Sequence, residues 1–209
     1  MKTARALLFP LMFVSAMACG LDPVPTLPKD EAEPEALAQS TRNDLQWKRA
    51  LVLQRDLLRA LELSEDELCK ELGTFDCVEQ VHLVSLGGHD AIESAIYNSL
   101  PAPLATTPVA VDRVVLAGCT HRVDADAAGD AKVFSKLDLS SDAPAADDPA
   151  VESTITTLYR RLLARDPLEA EVEQLATLVV DEDGEPIAAA DFAKLACYAI
   201  GTSTEFLFI

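Results

Sequence analysis

The first twenty residues constrain the fold of this chain more than any other feature, because they set the chemistry under which the rest folds. Lys2 and Arg5 open it with positive charge and no acid nearby, and Leu7 to Val14 (LLFPLMFV) forms a short apolar run. Ser15-Ala16-Met17-Ala18 then places small residues ahead of Cys19. These are the three zones of a secretory leader. The run is far shorter than the roughly 20 apolar residues of a permanent bilayer span. A chain so directed folds in an oxidising compartment, where cysteines are read first as a disulfide framework. Of five cysteines, four remain once Cys19 is set aside: Cys69, Cys77, Cys119 and Cys197. Three pairings are possible. Cys69 with Cys77 would staple two adjacent elements, and Cys119 with Cys197 would tie the middle of the chain to its C-terminal helix. That pairing is favoured, with four buried free thiols as the alternative. No Cys-x-x-Cys or Cys-x-x-Cys-His occurs, so the thioredoxin-type redox signature and the c-type haem signature are both missing.

Ala16-Met17-Ala18-Cys19 resembles the lipobox of bacterial lipoproteins, with Ala16 where the commonest form has leucine. The resemblance implies cleavage before Cys19, acylation of that cysteine and attachment to a membrane through the lipid. An ordinary secretory signal with Cys19 as an incidental thiol is the alternative. Behind Cys19 the segment up to about Gln39 is rich in Pro, Glu and Asp, a composition that cannot bury enough apolar surface to fold and reads as a tether. Losing Lys2 and Arg5 with the leader deepens the formal charge from −18 to −20. That balance argues against nucleic acid, which demands a positive footprint, and against electrostatic adhesion to anionic lipid. Gly20 follows the cysteine, not the aspartate that retains enteric lipoproteins at the inner membrane, which favours the outer membrane of the cell envelope.

Hydrophobic periodicity beyond the tether is mainly helical, and the expected fold is a mostly α domain stapled by disulfides. A first helix is expected from Asn43 or Asp44 through Leu63, carrying Trp47, Ala50, Leu51, Leu57, Leu58 and Leu61. Ser64-Glu65-Asp66-Glu67 is a capping box for a short second helix that Gly73 ends. Phe75 to Leu86 suits either a helix or a buried strand, and Gly87-Gly88 terminates it. Asp90 to Glu93 resembles a cap opening a helix to about Leu100. Thr107-Pro108 reads as N-cap and N1 of a helix to Cys119. The organisation is thus a leader over 1–18, a tether over 19–40, a helical part over 41–123, an acidic linker or loop over 124–148 and a helical module over 149–209. In that module Asp148-Pro149 starts a helix faced by Val151, Ile155, Leu158, Tyr159 and Leu162. Asp166-Pro167-Leu168-Glu169 reads as cap, N1 proline and N3 acid of the next. Asp191 or a neighbour opens a third, and Thr202 to Glu205 repeats the capping-box pattern before an apolar tail expected to dock in the core.

Chemistry is sparse. His82, His89 and His121 are candidate metal ligands, with Asp90 nearby, although no spacing among them matches a known ligand pattern. Ser85 lies close to His82, His89 and Asp90, but a nucleophile elbow needs glycine where Leu83 stands. Asp124, Asp126 and Gly129, and again Asp181, Asp183 and Gly184, carry the start of a calcium loop without its register. Arg160, Arg161, Arg165 and Asp166 sit at a helix end, where cations complement the dipole. Arg165 is expected to pair with a carboxylate such as Glu205, so that Arg165, Asp166, Pro167 and Glu205 serve the fold. No motif implies a cofactor.

Leu158-Tyr159-Arg160-Arg161-Leu162-Leu163-Ala164-Arg165-Asp166-Pro167, then Glu171, then Ser203 to Phe208, together resemble a helical module of exported bacterial proteins with the form LYR-x-LL-x-RDP … S-x-EF. It is similar to segments of planctomycete- and myxobacterium-type proteins that accompany exported cytochrome c domains, and to a domain of large secreted and surface-layer-associated proteins. The likeness covers 149–209 and implies a helical fold, without catalytic residues to carry over. Three expectations follow. The first is a non-enzymatic interaction or scaffold protein, an accessory subunit with a protein partner in the envelope. The second is a metal-dependent enzyme or metal-binding module built on His82, His89 and His121. The third, implied by the resemblance alone, is a docking accessory of an exported electron-transfer system.

Overall fold

The computed structural model describes residues 45–92, 95, 97, 98, 100 and 102–209, so Cys19, the leader and the tether lie outside the described residues. The described residues fall in one compact unit, mostly α-helical. Helix α1 (Ala50–Leu61) buries Ala50, Leu53, Leu57, Ala60 and Leu61, an i, i+3, i+7 series that contains no glycine or proline to interrupt it. It starts later than the periodicity predicts. Residues 46–48 are instead extended and pair with the C-terminal segment: Gln46 and Ile209 exchange N–H···O bonds of 2.9 and 2.8 Å, and Lys48 N–H donates to Leu207 at 2.7 Å. Trp47 and Phe208 form the bridge between them. Lys48 is buried, with its ammonium 4.1 Å from the centre of the Phe206 ring and 2.9 Å from Asp56.

Glu62, in the left-handed conformation, ends α1 by returning its N–H to Leu58. Ser64 and Glu67 then form the reciprocal capping box of α2 (Glu65–Leu68). The second helix ends at Leu68, well before Gly73. Residues 69–77 form a hairpin of two short antiparallel strands, β1 (Lys70–Glu71) and β2 (Phe75–Asp76), closed at its base by the Cys69–Cys77 disulfide. Gly73 therefore sits at a hairpin tip. A π-helical turn (Cys77–Val81) follows, capped by Asp76, which accepts the N–H groups of Val78 and Glu79. Gly87 has a φ of +73°, and a Cβ there would lie 2.4 Å from the Trp47 ring, so the indole packs where only glycine leaves room.

None of the described residues of the helix expected over 90–100 is helical. Among its described residues, Asp90 accepts the Ile92 N–H in a local turn, while Ile92 and Tyr97 are 93% and 75% exposed. A cap without a core to cover its apolar side chains does not hold a helix of that length.

The central element is α3 (Thr107–Ala127). Its N-cap is Thr106 rather than Thr107, and it runs two turns past Cys119. Two glycines set its crossings. A Cβ on Gly118 would come within 2.9 Å of the Leu68 side chain, and one on Gly201 of α6 within 2.7 Å of the Val115 side chain, so both leave room for the side chain packed over them. The second disulfide joins α3 to α6 through Cys119 and Cys197, both fully buried. The cysteine pairing favoured by the sequence is the one present. A bridge closing a loop this long typically contributes about 2–5 kcal/mol.

Residues 124–127 belong to α3, and 128–148 follow as a loop packed on the core, with Val133, Phe134 and Leu137 buried. Asp126 fixes it by accepting the N–H groups of Lys132, Val133 and Phe134 at 3.0, 2.9 and 2.6 Å. Helix α4 (Pro149–Leu162) begins at the Asp148 cap with proline at its first position, and buries the face its sequence marks. Helix α5 (Glu169–Ala176) starts two residues later than its sequence suggests. Its N-cap is Leu168, whose N–H goes to Glu171, because Asp166 is taken by Arg160 and Pro167 stands outside the helix. Helices α6 (Ala189–Gly201) and α7 (Thr204–Leu207) complete the body, α7 capped by Ser203 and burying Phe206. No helix among the described residues is long and apolar enough to cross a membrane.

Candidate functional site

A concavity of about 650 Å³ forms an open groove between α2 with β1 on one wall and α3 on the other. Its walls follow from local chemistry. The capping box holds α2 rigid, with Glu67 accepting both the backbone N–H and the hydroxyl of Ser64 at 2.8 Å. Those bonds hold the Glu67 carboxyl below the usual range, the backbone one contributing most. One turn on, Lys70 reaches back to Asp66 at 2.9 Å, a bond that raises the ammonium pKa. Glu71 pins the hairpin to α3: one carboxylate oxygen takes Arg113 at 2.7 Å and the other faces His82 at 3.2 Å. Leu68, Cys69, Leu116 and Ala117 provide the apolar part, Leu116 being 48% exposed. Thr120, His121 and Asp124 form the far end, where Asp124 meets Lys194 of α6 at 3.2 Å. The groove is thus a semi-polar trough whose carboxylates Asp66, Glu67, Glu71 and Asp124 outnumber its cations Lys70 and Arg113.

The structure separates the three histidines. His82 lies behind the hairpin against Glu71, His121 is exposed on α3 in the groove, and His89 is exposed in the turn after Gly88. Among the described residues no group of three or more His, Cys, Asp or Glu side chains is placed to hold a metal ion. Ser85 has its side chain hydrogen-bonded away from His82 and His89. Its hydroxyl accepts from Thr106 and its carbonyl from Thr107, which staples the loop to the start of α3. The calcium-loop pattern at Asp124 and Asp126 fails for a physical reason, since Asp126 spends its oxygens on three backbone N–H groups and on Arg122 at 2.6 Å. Asp181 likewise accepts the N–H groups of Asp183 and Glu185, an ordinary acidic turn.

Arg165 forms a structural knot on the opposite side of the sequence. It donates to Glu171 at 2.8 and 2.7 Å and to Glu205 at 2.7 and 2.6 Å, with its guanidinium 5.0 Å from the Tyr159 ring centre. Glu171 is pulled down to about 2, chiefly by Arg165 and then by the Leu168 N–H. Glu205 is lowered by Arg165. Burial is the main cause of a raised Tyr159. Arg160 pairs with Asp166 and lowers its carboxyl. Two features escaped the sequence reading. The Arg122–Asp126 pair had a usable signal, opposite charges four apart on a long helix. Glu71 as a hub for Arg113 and His82 had none, because its partners are distant in sequence. No protein-family model, curated protein or solved structure matches this chain.

Proposed function

We propose that this chain is an exported lipoprotein, cut before Cys19 and anchored by a lipid on that cysteine. Its helical body acts as a non-enzymatic interaction or accessory subunit in the cell envelope. The observation that carries the reading is the cysteine arithmetic. Four of five cysteines are consumed in two bridges within the body, and the fifth is Cys19, directly behind the Ala16-Met17-Ala18 leader end. A net charge of −20 on the processed chain leaves acyl groups, not lipid electrostatics, to hold it at a membrane, with the outer membrane favoured. The likeness of residues 149–209 to a module of exported proteins points to the same compartment. The groove between α2–β1 and α3 is the surface offered to a protein partner, because it combines apolar area with a net acidic rim. Intact mass of the protein from its native membrane tests the anchor: the expected species starts at Cys19 and carries acyl groups. An unlipidated chain would sink the anchor. Site-directed crosslinking from Leu116 tests the interaction role, and failure to capture a defined envelope protein from this position would remove it.

A further inference from the structure

We propose that the Cys69–Cys77 bridge is a thiol–disulfide exchange site, that Cys69 is the sulfur attacked, and that its co-substrate is a dithiol without net negative charge. Three observations carry this. The first is access. Cys77, Cys119 and Cys197 are each 0% exposed, whereas Cys69 is partly exposed and lines the groove. Exchange requires a thiolate to reach a sulfur, and its rate follows access as well as thiol chemistry. Among the four described cysteines, Cys69 alone is not fully buried. Attack there makes Cys77 the leaving sulfur.

The second observation is what the bridge encloses. Residues 70–76 form a hairpin of two-residue strands whose tip puts Leu72 at φ +52° and 91% exposed. A bulky side chain in the left-handed region is strained, and such strain persists only where surrounding contacts over-determine the backbone. Here those contacts are the bridge at the base and Glu71 between Arg113 and His82. Opening the bridge lets the tip relax, which favours the dithiol form of this loop. Cys119–Cys197 lies between two packed helices, and the positive-φ non-glycine within its span, Ala164, is a small residue more than thirty positions from either sulfur.

The third is charge. A nucleophile entering the groove meets Asp66, Glu67, Glu71 and Asp124 against Lys70 and Arg113, so anionic thiols are repelled and neutral or cationic ones admitted. One thiol of the dithiol loses its proton to water, and its thiolate forms a bond to Cys69 Sγ as the Cys69–Cys77 bond breaks. The electron pair leaves on Cys77 Sγ, which takes a proton. The second thiolate of the reagent then attacks its own sulfur in the mixed disulfide, and Cys69 departs as a thiol. The dithiol has become a disulfide and the protein has gained two electrons and two protons.

The proposal rests on the bridge and the groove and not on acylation at Cys19, so it and the membrane anchor fail in separate experiments. The test exposes the folded protein to dithiothreitol in native buffer, quenches with iodoacetamide at intervals and maps alkylation by peptide mass. Cys69 and Cys77 are expected to become alkylated on the order of 100-fold faster than Cys119 and Cys197, with the helical circular-dichroism signal retained. With the monothiol cysteamine, the mixed disulfide is expected on Cys69 and the alkyl group on Cys77. Glutathione, which is anionic, is expected to react several-fold more slowly than cysteamine at equal thiolate concentration. Equal opening of both bridges, an adduct on Cys77, or no opening until denaturant is added would each overturn the site. Equal rates for the two monothiols would overturn the assigned class of co-substrate.

Discussion

Replacing Asp126 by alanine removes the joint between α3 and the packed loop, and the structure sets the size of the loss. Asp126 is 6% exposed and Arg122 1% exposed, with 2.6 Å between carboxylate and guanidinium. The same carboxylate accepts the N–H groups of Lys132, Val133 and Phe134. Removing one member of a buried pair strands the other charge and typically costs about 3–5 kcal/mol. Each buried N–H left without a partner adds about 1–3 kcal/mol unless water enters. Two features soften the loss. Arg122 keeps the Asp130 carboxylate at 3.1 Å and the carbonyls of Asp130 and Glu62, and the space left by the carboxylate admits water. The expected destabilisation is therefore about 3–4 kcal/mol, a large share of the roughly 5–15 kcal/mol by which a domain is stable. Asp126→Asn keeps the shape and an acceptor for the N–H groups but faces Arg122 without charge, and is expected to lose about 1.5–3 kcal/mol. Asp124→Ala, which breaks only a partly exposed pair with Lys194, serves as control and should cost no more than about 1 kcal/mol. Urea unfolding of the four proteins, with limited proteolysis of 128–148, reads all of this. A loss below about 1 kcal/mol for Asp126→Ala, or an unchanged cleavage rate in the loop, would refute the assignment of Asp126 as the joint.

Glu171 sets an acid limit. Its pKa is depressed from 4.5 to about 2, so its contribution is fully present above pH 4.5 and is lost as pH falls through about 2. Glu171→Gln should therefore flatten the fall in melting temperature between those values, and an unchanged profile would reassign the acid sensitivity to other groups. Leu72→Asn at the hairpin tip places a residue suited to positive φ beside Gly73, in a turn closed by Thr74 N–H on Glu71. A gain of about 0.5–1 kcal/mol is expected in thermal unfolding, and a loss would mean that Leu72 packs on something. Gly87→Ala sets a Cβ against Trp47 at a left-handed position, so a loss of about 1–3 kcal/mol is expected. Since Trp47 is the only tryptophan, its fluorescence reports whether the ring has been displaced, and an unaltered spectrum with unaltered stability would contradict the packing.

What could be read from the sequence divides according to the range of the interactions that decide each element. The α4 cap at Asp148-Pro149 and the face through Val151, Ile155, Leu158 and Leu162 are local signals with a core waiting for them, and both hold. The start of α1 is misread because Trp47 keeps helical spacing with Ala50 and Leu51, while residues 46–48 give their backbone groups to residues 207–209 at the other end of the body. Asp90 to Glu93 carries a cap whose described apolar neighbours, Ile92 and Tyr97, are exposed, and Asp166-Pro167 carries one whose acid Arg160 claims first. The groove was invisible for the same reason. Its walls come from 66–71 and 113–124, brought together by Gly118 lying against Leu68, and the groove residues that stand out in the chain (Asp66, Glu67, Cys69, His121 and Asp124) do so for unrelated reasons.

The acidic surplus of the chain also separates into two populations that composition cannot distinguish. Glu71, Asp126 and Glu171 each accept from two or more donors and tie one element to another: hairpin to α3, α3 to its loop, and the α4–α5 turn to the start of α5. Others, such as Glu65, Glu79 and Glu182, are exposed. A protein with a formal charge of −18 repels itself at neutral pH, so mild acidification relieves that repulsion while Glu171, held down to about 2 chiefly by Arg165, remains ionised. Greatest stability is therefore expected on the acid side of neutrality, above the range in which the Glu171 contribution is lost, and added salt should stabilise at pH 7 more than at pH 5. A melting temperature that falls steadily from pH 7 to pH 5 in low salt would show that the exposed acids contribute no net repulsion. The local carboxylate bonds would then dominate the whole acid response.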